Sequence, residues 1–321
     1  MASRHLDKIH RSVVSEAIIS RRAFLKAAAA GAIAVGLRSG AATATGERMI
    51  DKRIPGSGEA LPAIGMGSWA TFDVGASEGE RAPLREVLRL FQGAGARVID
   101  TSPMYGRSEA VLGELLAGSD VPRVFMATKV WTDGRRAGSE QIARSMTLLK
   151  VAALDLIQIH NLRDWQVHRE TLLELKDRGK VRYLGITHYA VSAHADLERV
   201  IRAADWDFVQ LNHSIATRAA EKRLLPLCSD RRIAVLANRP FEEGEIFARV
   251  RGKALPAWAA DFDCSSWAQF FLKYVISHPA MTCAIPASSN PAHIADNLAA
   301  GLGRLPDEPT RSKMARYFDS L

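Results

Sequence analysis

The chain has 321 residues, 47% of them hydrophobic and 24% charged, and a formal net charge of +8. Residues 1–44 hold seven of the 43 Lys/Arg and two of the 35 Asp/Glu. The other 36 and 33 leave residues 45–321 at +3, so the whole-chain charge is poor evidence for nucleic-acid binding. Cys228, Cys264 and Cys283 are odd in number and widely spaced, which excludes a disulfide framework and a C-x-x-C pair.

In chain order, a polar basic segment leads into Ser20-Arg21-Arg22-Ala23-Phe24-Leu25-Lys26. An apolar Ala/Gly-rich run over 27–37, then Arg38 and the triplet Ala42-Thr43-Ala44, complete the layout of a cleavable signal peptide over residues 1–44. The run is too short to span a bilayer. The paired arginines followed by Phe24, Leu25 and Lys26 resemble a twin-arginine (Tat) signal. That resemblance implies the Tat translocon as a transient partner and a periplasmic or otherwise exported address. It implies no stable membrane insertion after cleavage, and a membrane tether if the leader stays on. Few cysteines suit a protein that folds in the reducing cytoplasm before export. Residues 45–321 are ample for one large core.

A Gly/Pro-punctuated entry over 45–62 predicts a short hairpin. After it, short apolar runs alternate with helical periodicity. Strands are expected over 63–67, 97–100, 123–129, 154–160, 181–187, 208–212, 233–238 and 281–285. The first helix between them carries Leu84, Val87, Leu88 and Phe91 on one face. The second opens with Ser108 as N-cap and Glu109 in its first turn. Others are expected over 138–150, 167–178, 191–204, 217–230, 265–277 and 291–299, with an irregular insert around Gly244, Gly252 and Pro256. Eight buried-type strands, each followed by a helix, fit an α/β fold of the (β/α)8 TIM-barrel type better than an open sheet. No G-x-G-x-x-G follows the first strand, which argues against a Rossmann fold.

Polar residues collect at the carboxyl ends of these strands. Asp100 closes the second, with Tyr105 beyond it; Lys129 closes the third, His160 the fourth, Thr187 and His188 the fifth. Gln210 and Asn212 end the sixth, Asn238 and Arg239 the seventh, and Ser288 and Ser289 follow the eighth. Any one of them alone could merely cap a loop. Together they face the mouth where barrel enzymes do their chemistry. A tyrosine with a pKa of about 10 is a slow acid or base near neutrality, and an adjacent ammonium favours its phenolate. Asp100 would fix Lys129, and His160 would donate a hydrogen bond to a carbonyl oxygen.

These residues resemble the aldo/keto reductase family. The resemblance rests on Asp100 with Tyr105-Gly106-Arg107-Ser108-Glu109, on Thr128-Lys129, on the run from Asp155 to Asn161, on 179–187, and on Ile285-Pro286-Ala287-Ser288-Ser289-Asn290. It implies Tyr105 as general acid/base, Lys129 and Asp100 tuning it, and His160 orienting the carbonyl. It also implies an NADP(H) or NAD(H) cofactor across the mouth. Thr187, His188 and Gln210 would hold its carboxamide. Asn238, Arg239, Pro240, Phe241, Ser288, Ser289, His293 and Asn297 would hold the rest, with Trp69 and Trp131 lining the substrate pocket. Four positions depart from the pattern. His188 stands where the family often carries Asn, and it can still hydrogen-bond. Asn238 stands where many members place an aromatic under the nicotinamide. Ala287 and His293 stand where NADPH-preferring members carry Lys and Arg, so both cofactors stay open. The implied activity is reversible reduction of an aldehyde, ketone or sugar carbonyl; the alternative is a nicotinamide-binding redox-sensing module with little turnover. No metal site is expected, since His160, His188 and His213 each lack a ligand partner at metal spacing.

Overall fold

A computed structural model describes residues 48–117 and 124–321. The leader, residues 1–44, and Arg123 at the head of the expected third strand lie outside the described residues. The expected entry hairpin is present as β1 (Asp51–Arg53) and β2 (Ala60–Pro62), paired antiparallel. Eight parallel strands then follow in chain order: β3 (Met66–Gly67), β4 (Val98–Asp100), β5 (Phe125–Val130), β6 (Leu154–His160), β7 (Val181–His188), β8 (Phe208–Asn212), β9 (Ala234–Asn238) and β10 (Cys283–Ala284). Parallel bridges from Ile64 to Ala284 and from Gly67 to Ala287 join the last strand to the first, so the sheet is a barrel.

Helices alternate with the strands: α1 (Glu78–Gly93), α2 (Ser108–Ala117), α3 (Arg135–Leu149), α4 (Trp165–Asp177), α5 (His194–Ala203), α6 (Leu224–Asp230), α7 (Trp267–Ile276) and α8 (Pro291–Ala299), followed by α9 (Glu308–Asp319). Several expected boundaries change. The first and last strands shrink to two residues each, because at the closing seam the flanking residues make single bridges instead of a ladder. The helix expected over 217–230 is a 3-10 turn (Ala219–Lys222) and α6, broken at Arg223 where φ −139, ψ −49 leaves helical geometry. Ser108 is not an N-cap: it is already the first residue of α2, and its Oγ donates to the Ser68 carbonyl at 3.4 Å. The insert holds short turns, Glu242–Gly244, Ile246–Arg249 and Ala257–Phe262.

Strand alternation divides the core. Ile99, Met126, Ile157, Ile159, Ile186 and Val209 pack outward against the helices. Val98, Phe125, Leu156, Tyr183, Phe208 and Leu236 point inward and fill the bore. The hairpin plugs the amino-terminal end: Ile54 and Leu61 join the inner cluster, and Tyr183 Oη donates to Glu59 at 2.8 Å. Two residues beyond Val98, Leu156, Phe208 and Leu236, and two beyond the inward Ala127 of β5, the inward positions reach the other mouth as Asp100, Gln158, Gln210, Asn238 and Lys129. The barrel thus has an apolar floor and a polar top. No helix among the described residues is long and apolar enough to cross a membrane.

Candidate active site

Lys129 is the centre of this polar top. It is fully buried, and its Nζ donates to Asp100 Oδ2 at 2.5 Å and to the Thr101 carbonyl at 2.8 Å. The other carboxylate oxygen, Oδ1, accepts from Gln158 Nε2 at 2.7 Å and Gln210 Nε2 at 2.9 Å. Gln210 Oε1 in turn accepts from Thr187 Oγ1 at 3.1 Å and Asn238 Nδ2 at 3.3 Å. A buried carboxylate is tolerated only with such donors around it. Burial opposes the charge on Lys129, yet the neighbouring Asp100 and Tyr105 raise its pKa overall. Gln158 was not among the expected site residues; inside an apolar strand it reads as an isolated polar side chain.

Tyr105 sits at the end of a tight turn in which its N–H donates to the Ser102 carbonyl at 3.0 Å. Gly106 follows with φ +60°, and a Cβ there would lie 2.4 Å from the Asp73 carboxylate. The Lys129 ammonium is 5.0 Å from the Tyr105 ring centre. Its charge acts downward on the phenol as expected. Burial nevertheless outweighs it, and with the Asp100 charge the phenol moves up, so Tyr105 is held protonated. His160 meets the Tyr105 ring edge-on at 6.2 Å. Burial, with the charges of Lys129 and His188, pushes its imidazole down to about 3 and keeps it neutral.

Trp131 lies 6.4 Å from His160 between ring centres, and the Arg163 guanidinium sits 4.7 Å from the Trp131 ring centre as a cation–π partner. Arg163 also forms a two-pronged pair with Asp133, at 2.8 and 2.5 Å, which ties the loop after β5 to the loop after β6. Trp69 is 51% exposed on the loop after β3 and stands at the rim. Its neighbour Ser68 donates its N–H to the Asp100 carbonyl at 3.0 Å.

The remaining expected residues cover the side of the mouth built by β7 to β10. His160, Thr187 and Gln210 lie in register across β6, β7 and β8, and Asn238 pairs with Asn212. His188 accepts the Ala190 N–H on Nδ1 at 3.1 Å and stacks on Tyr189. Arg239 faces Glu243 at 3.4 Å, Pro240 is buried, and Phe241 packs on Phe247. Ser288 Oγ accepts the Asn290 N–H at 3.1 Å, and Asn290 caps α8 through Ala292. Ser289 and His293 are exposed and Asn297 is buried. Asn161, beside His160, was not singled out by sequence; its Oδ1, like that of Asn238, is buried without a partner. Among the described residues no group of three or more His, Cys, Asp or Glu converges to hold a metal ion.

A barrel with a buried lysine–carboxylate pair beneath a tyrosine and a neutral histidine has the layout of a carbonyl oxidoreductase site. The model described as "Aldo/keto reductase family" matches residues 63–312, and the chain belongs to that family. It is 30% identical to methylglyoxal reductase YeaE of Escherichia coli, over 78% of this chain and 89% of that one. It is 29% identical to an NADH-specific methylglyoxal reductase of the same organism, over 62% of this chain and 69% of that one. Among solved structures, an aldo/keto reductase from Klebsiella pneumoniae in complex with NADP and acetate superposes with a TM-score of 0.67 at 26% identity, covering 82% of this chain and 93% of its own. A Klebsiella pneumoniae aldo-keto reductase in complex with NADPH gives 0.68 at 26%, covering 84% and 96%.

Proposed function

We propose that this chain is an NAD(P)H-dependent reductase of small carbonyl compounds in which Tyr105 is the proton donor. The observation that carries this reading is the buried Lys129–Asp100 pair set beneath a phenol and a neutral imidazole. The cofactor, when bound, supplies the hydride. The residues present fit it. Asn161 Oδ1 and Asn238 Oδ1 are buried acceptors without donors, which a carboxamide amide would satisfy. The capped amino end of α8, with Ser288 and Ser289 ahead of it, suits a phosphate. Solved relatives holding NADP or NADPH and a relative named as NADH-specific leave the choice between the two cofactors to measurement.

In the reduction direction, the residues of the chain do three things. His160 and Tyr105 hold the substrate oxygen between two donors, Tyr105 passes its proton to that oxygen as negative charge develops, and Lys129 stabilises the phenolate left behind. A phenol held above its ordinary pKa starts protonated, as an acid must. Asp100 keeps Lys129 charged and aimed. Two relatives named methylglyoxal reductases support a short aldehyde or ketone as the substrate class.

The test is turnover of methylglyoxal, other aldehydes, ketones and sugars with NADPH and NADH separately. Tyr105→Phe is expected to lose about 10²–10⁴-fold in kcat, with cofactor affinity retained. Cofactor binding without turnover in the unaltered chain would move the reading to the redox-sensing alternative. We also propose export through the Tat translocon, supported by Arg21-Arg22 and the residues after them. Replacing both arginines by lysine is expected to keep the protein in the cytoplasmic fraction, and unchanged export would refute that address.

A further inference from the structure

The turn between Asp100 and Tyr105 carries a hydroxyl that the four reacting side chains leave unassigned. Ser102 is fully buried. Its Oγ accepts the Met104 N–H at 3.2 Å and lies 3.4 Å from His160 Nδ1. A neutral imidazole has one N–H donor and one bare nitrogen, so two arrangements of hydrogens fit this contact. In the first, Nδ1–H donates to Oγ. The Ser102 hydroxyl hydrogen then has no acceptor among the described residues, and a buried donor is left unmade. In the second, the Ser102 hydroxyl donates to Nδ1. The Ser102 hydroxyl is then satisfied both as donor and as acceptor, and the single ring proton sits on Nε2.

We propose that Ser102 is a positioning residue for His160: its hydroxyl donates to Nδ1, fixes the Nε2–H tautomer, and so turns the one donor of the imidazole toward the substrate carbonyl. The inference rests on the reductase reading. An imidazole in the other tautomer would present a lone pair to the carbonyl oxygen and repel it. Ser102 touches neither substrate nor cofactor in this arrangement; it acts through His160. Its place in the chain makes the coupling direct. The Ser102 carbonyl accepts the Tyr105 N–H at 3.0 Å, so one residue sets both the height of the phenol and the face of the imidazole. The ring also stays neutral across ordinary pH, so its tautomer and not its charge decides what it offers.

The test is a nitrogen-15 spectrum of histidine-labelled protein, with the His160 signals identified by their loss in His160→Gln. The expected result is bare Nδ1 and protonated Nε2. Ser102→Ala is expected to give mixed tautomers and a fall in kcat of about tenfold. NADPH affinity should change less than twofold. Ser102→Thr, which keeps the hydroxyl, should restore both tautomer and kcat. A bare Nε2 in the unaltered protein overturns the proposal, and that spectrum decides even if Ser102→Ala fails to fold. So does a Ser102→Ala protein that keeps the original tautomer and kcat. Protonated Nε2 in a chain that reduces no carbonyl supports the Ser102 assignment and overturns the reductase reading instead, so the two failures are told apart.

Discussion

Lys129 and Asp100 are each nearly sealed from water, and each is tolerable there only because of the other. Removing one partner leaves an uncompensated buried charge. Lys129→Met is therefore expected to cost about 3–5 kcal/mol of stability. The double replacement Lys129→Met with Asp100→Asn should recover much of that loss, because the amide is neutral and Gln158 and Gln210 still reach it. Urea unfolding of the two variants checks this; equal losses would mean that the pair is not electrostatically coupled. Activity should be lost in both, since neither can stabilise a phenolate. The same burial explains why the direction of the Tyr105 shift was illegible in the sequence. An adjacent ammonium is a local feature that spacing suggests. The depth of the hydroxyl depends on the whole mouth, and depth prevails. Glu109 shows the same limit: it stands in the first turn of α2 as expected, but it is also buried, accepts from Thr128 at 2.6 Å and Ser145 at 3.1 Å, and is raised by burial.

At the scale of elements, the polar strand ends were legible because the period of a strand is two. Asp100, Lys129, Gln210 and Asn238 each lie two residues beyond an inward apolar residue, so one alternation fills the floor and equips the mouth. Gln158 escaped because it interrupts an apolar run two residues before the strand ends at His160, where an inward polar residue has no mark in sequence. The helix α9 also escaped, although Asp307 caps it by accepting the Thr310 N–H and Pro309 opens it. Helix packing sets a further constraint that sequence alone does not display. A Cβ on Gly113 of α2 would lie 2.0 Å from the Leu148 carbonyl of α3. That contact is with backbone, so the helices must part to admit a methyl group. Gly113→Ala is expected to destabilise by about 1–3 kcal/mol, read by denaturant midpoint. The cofactor affinity of the folded fraction should hold, since α8 and β7 to β10 are remote from this seam.

For the molecule as a whole, the outer shell is closed by a buried cluster away from the mouth. His213, fully buried just past β8, places Nε2 3.5 Å from Glu221 Oε1. Glu221 also accepts from Arg311 of α9 at 2.8 Å and from Tyr274 of α7 at 2.8 Å, and His278 packs edge-on against the His213 ring. This cluster ties the last helix to the barrel. Burial, with the charges of His278 and Arg311, pushes His213 from the ordinary 6.5 to about 3. The unfolded chain therefore binds a proton at His213 between those values that the folded chain does not. Stability then rises with pH across that window and is lost as pH falls below about 6.5, by roughly 1.4 kcal/mol per pH unit for this one group. His160 is depressed in the same sense and adds to the slope. His213→Phe keeps a ring in place and removes the titration. Its unfolding free energy should fall less steeply than that of the unaltered protein between pH 6 and pH 4, by about one such increment per unit. Parallel curves would show that the cluster takes up its proton without unfolding, and that the acid sensitivity of the barrel originates elsewhere.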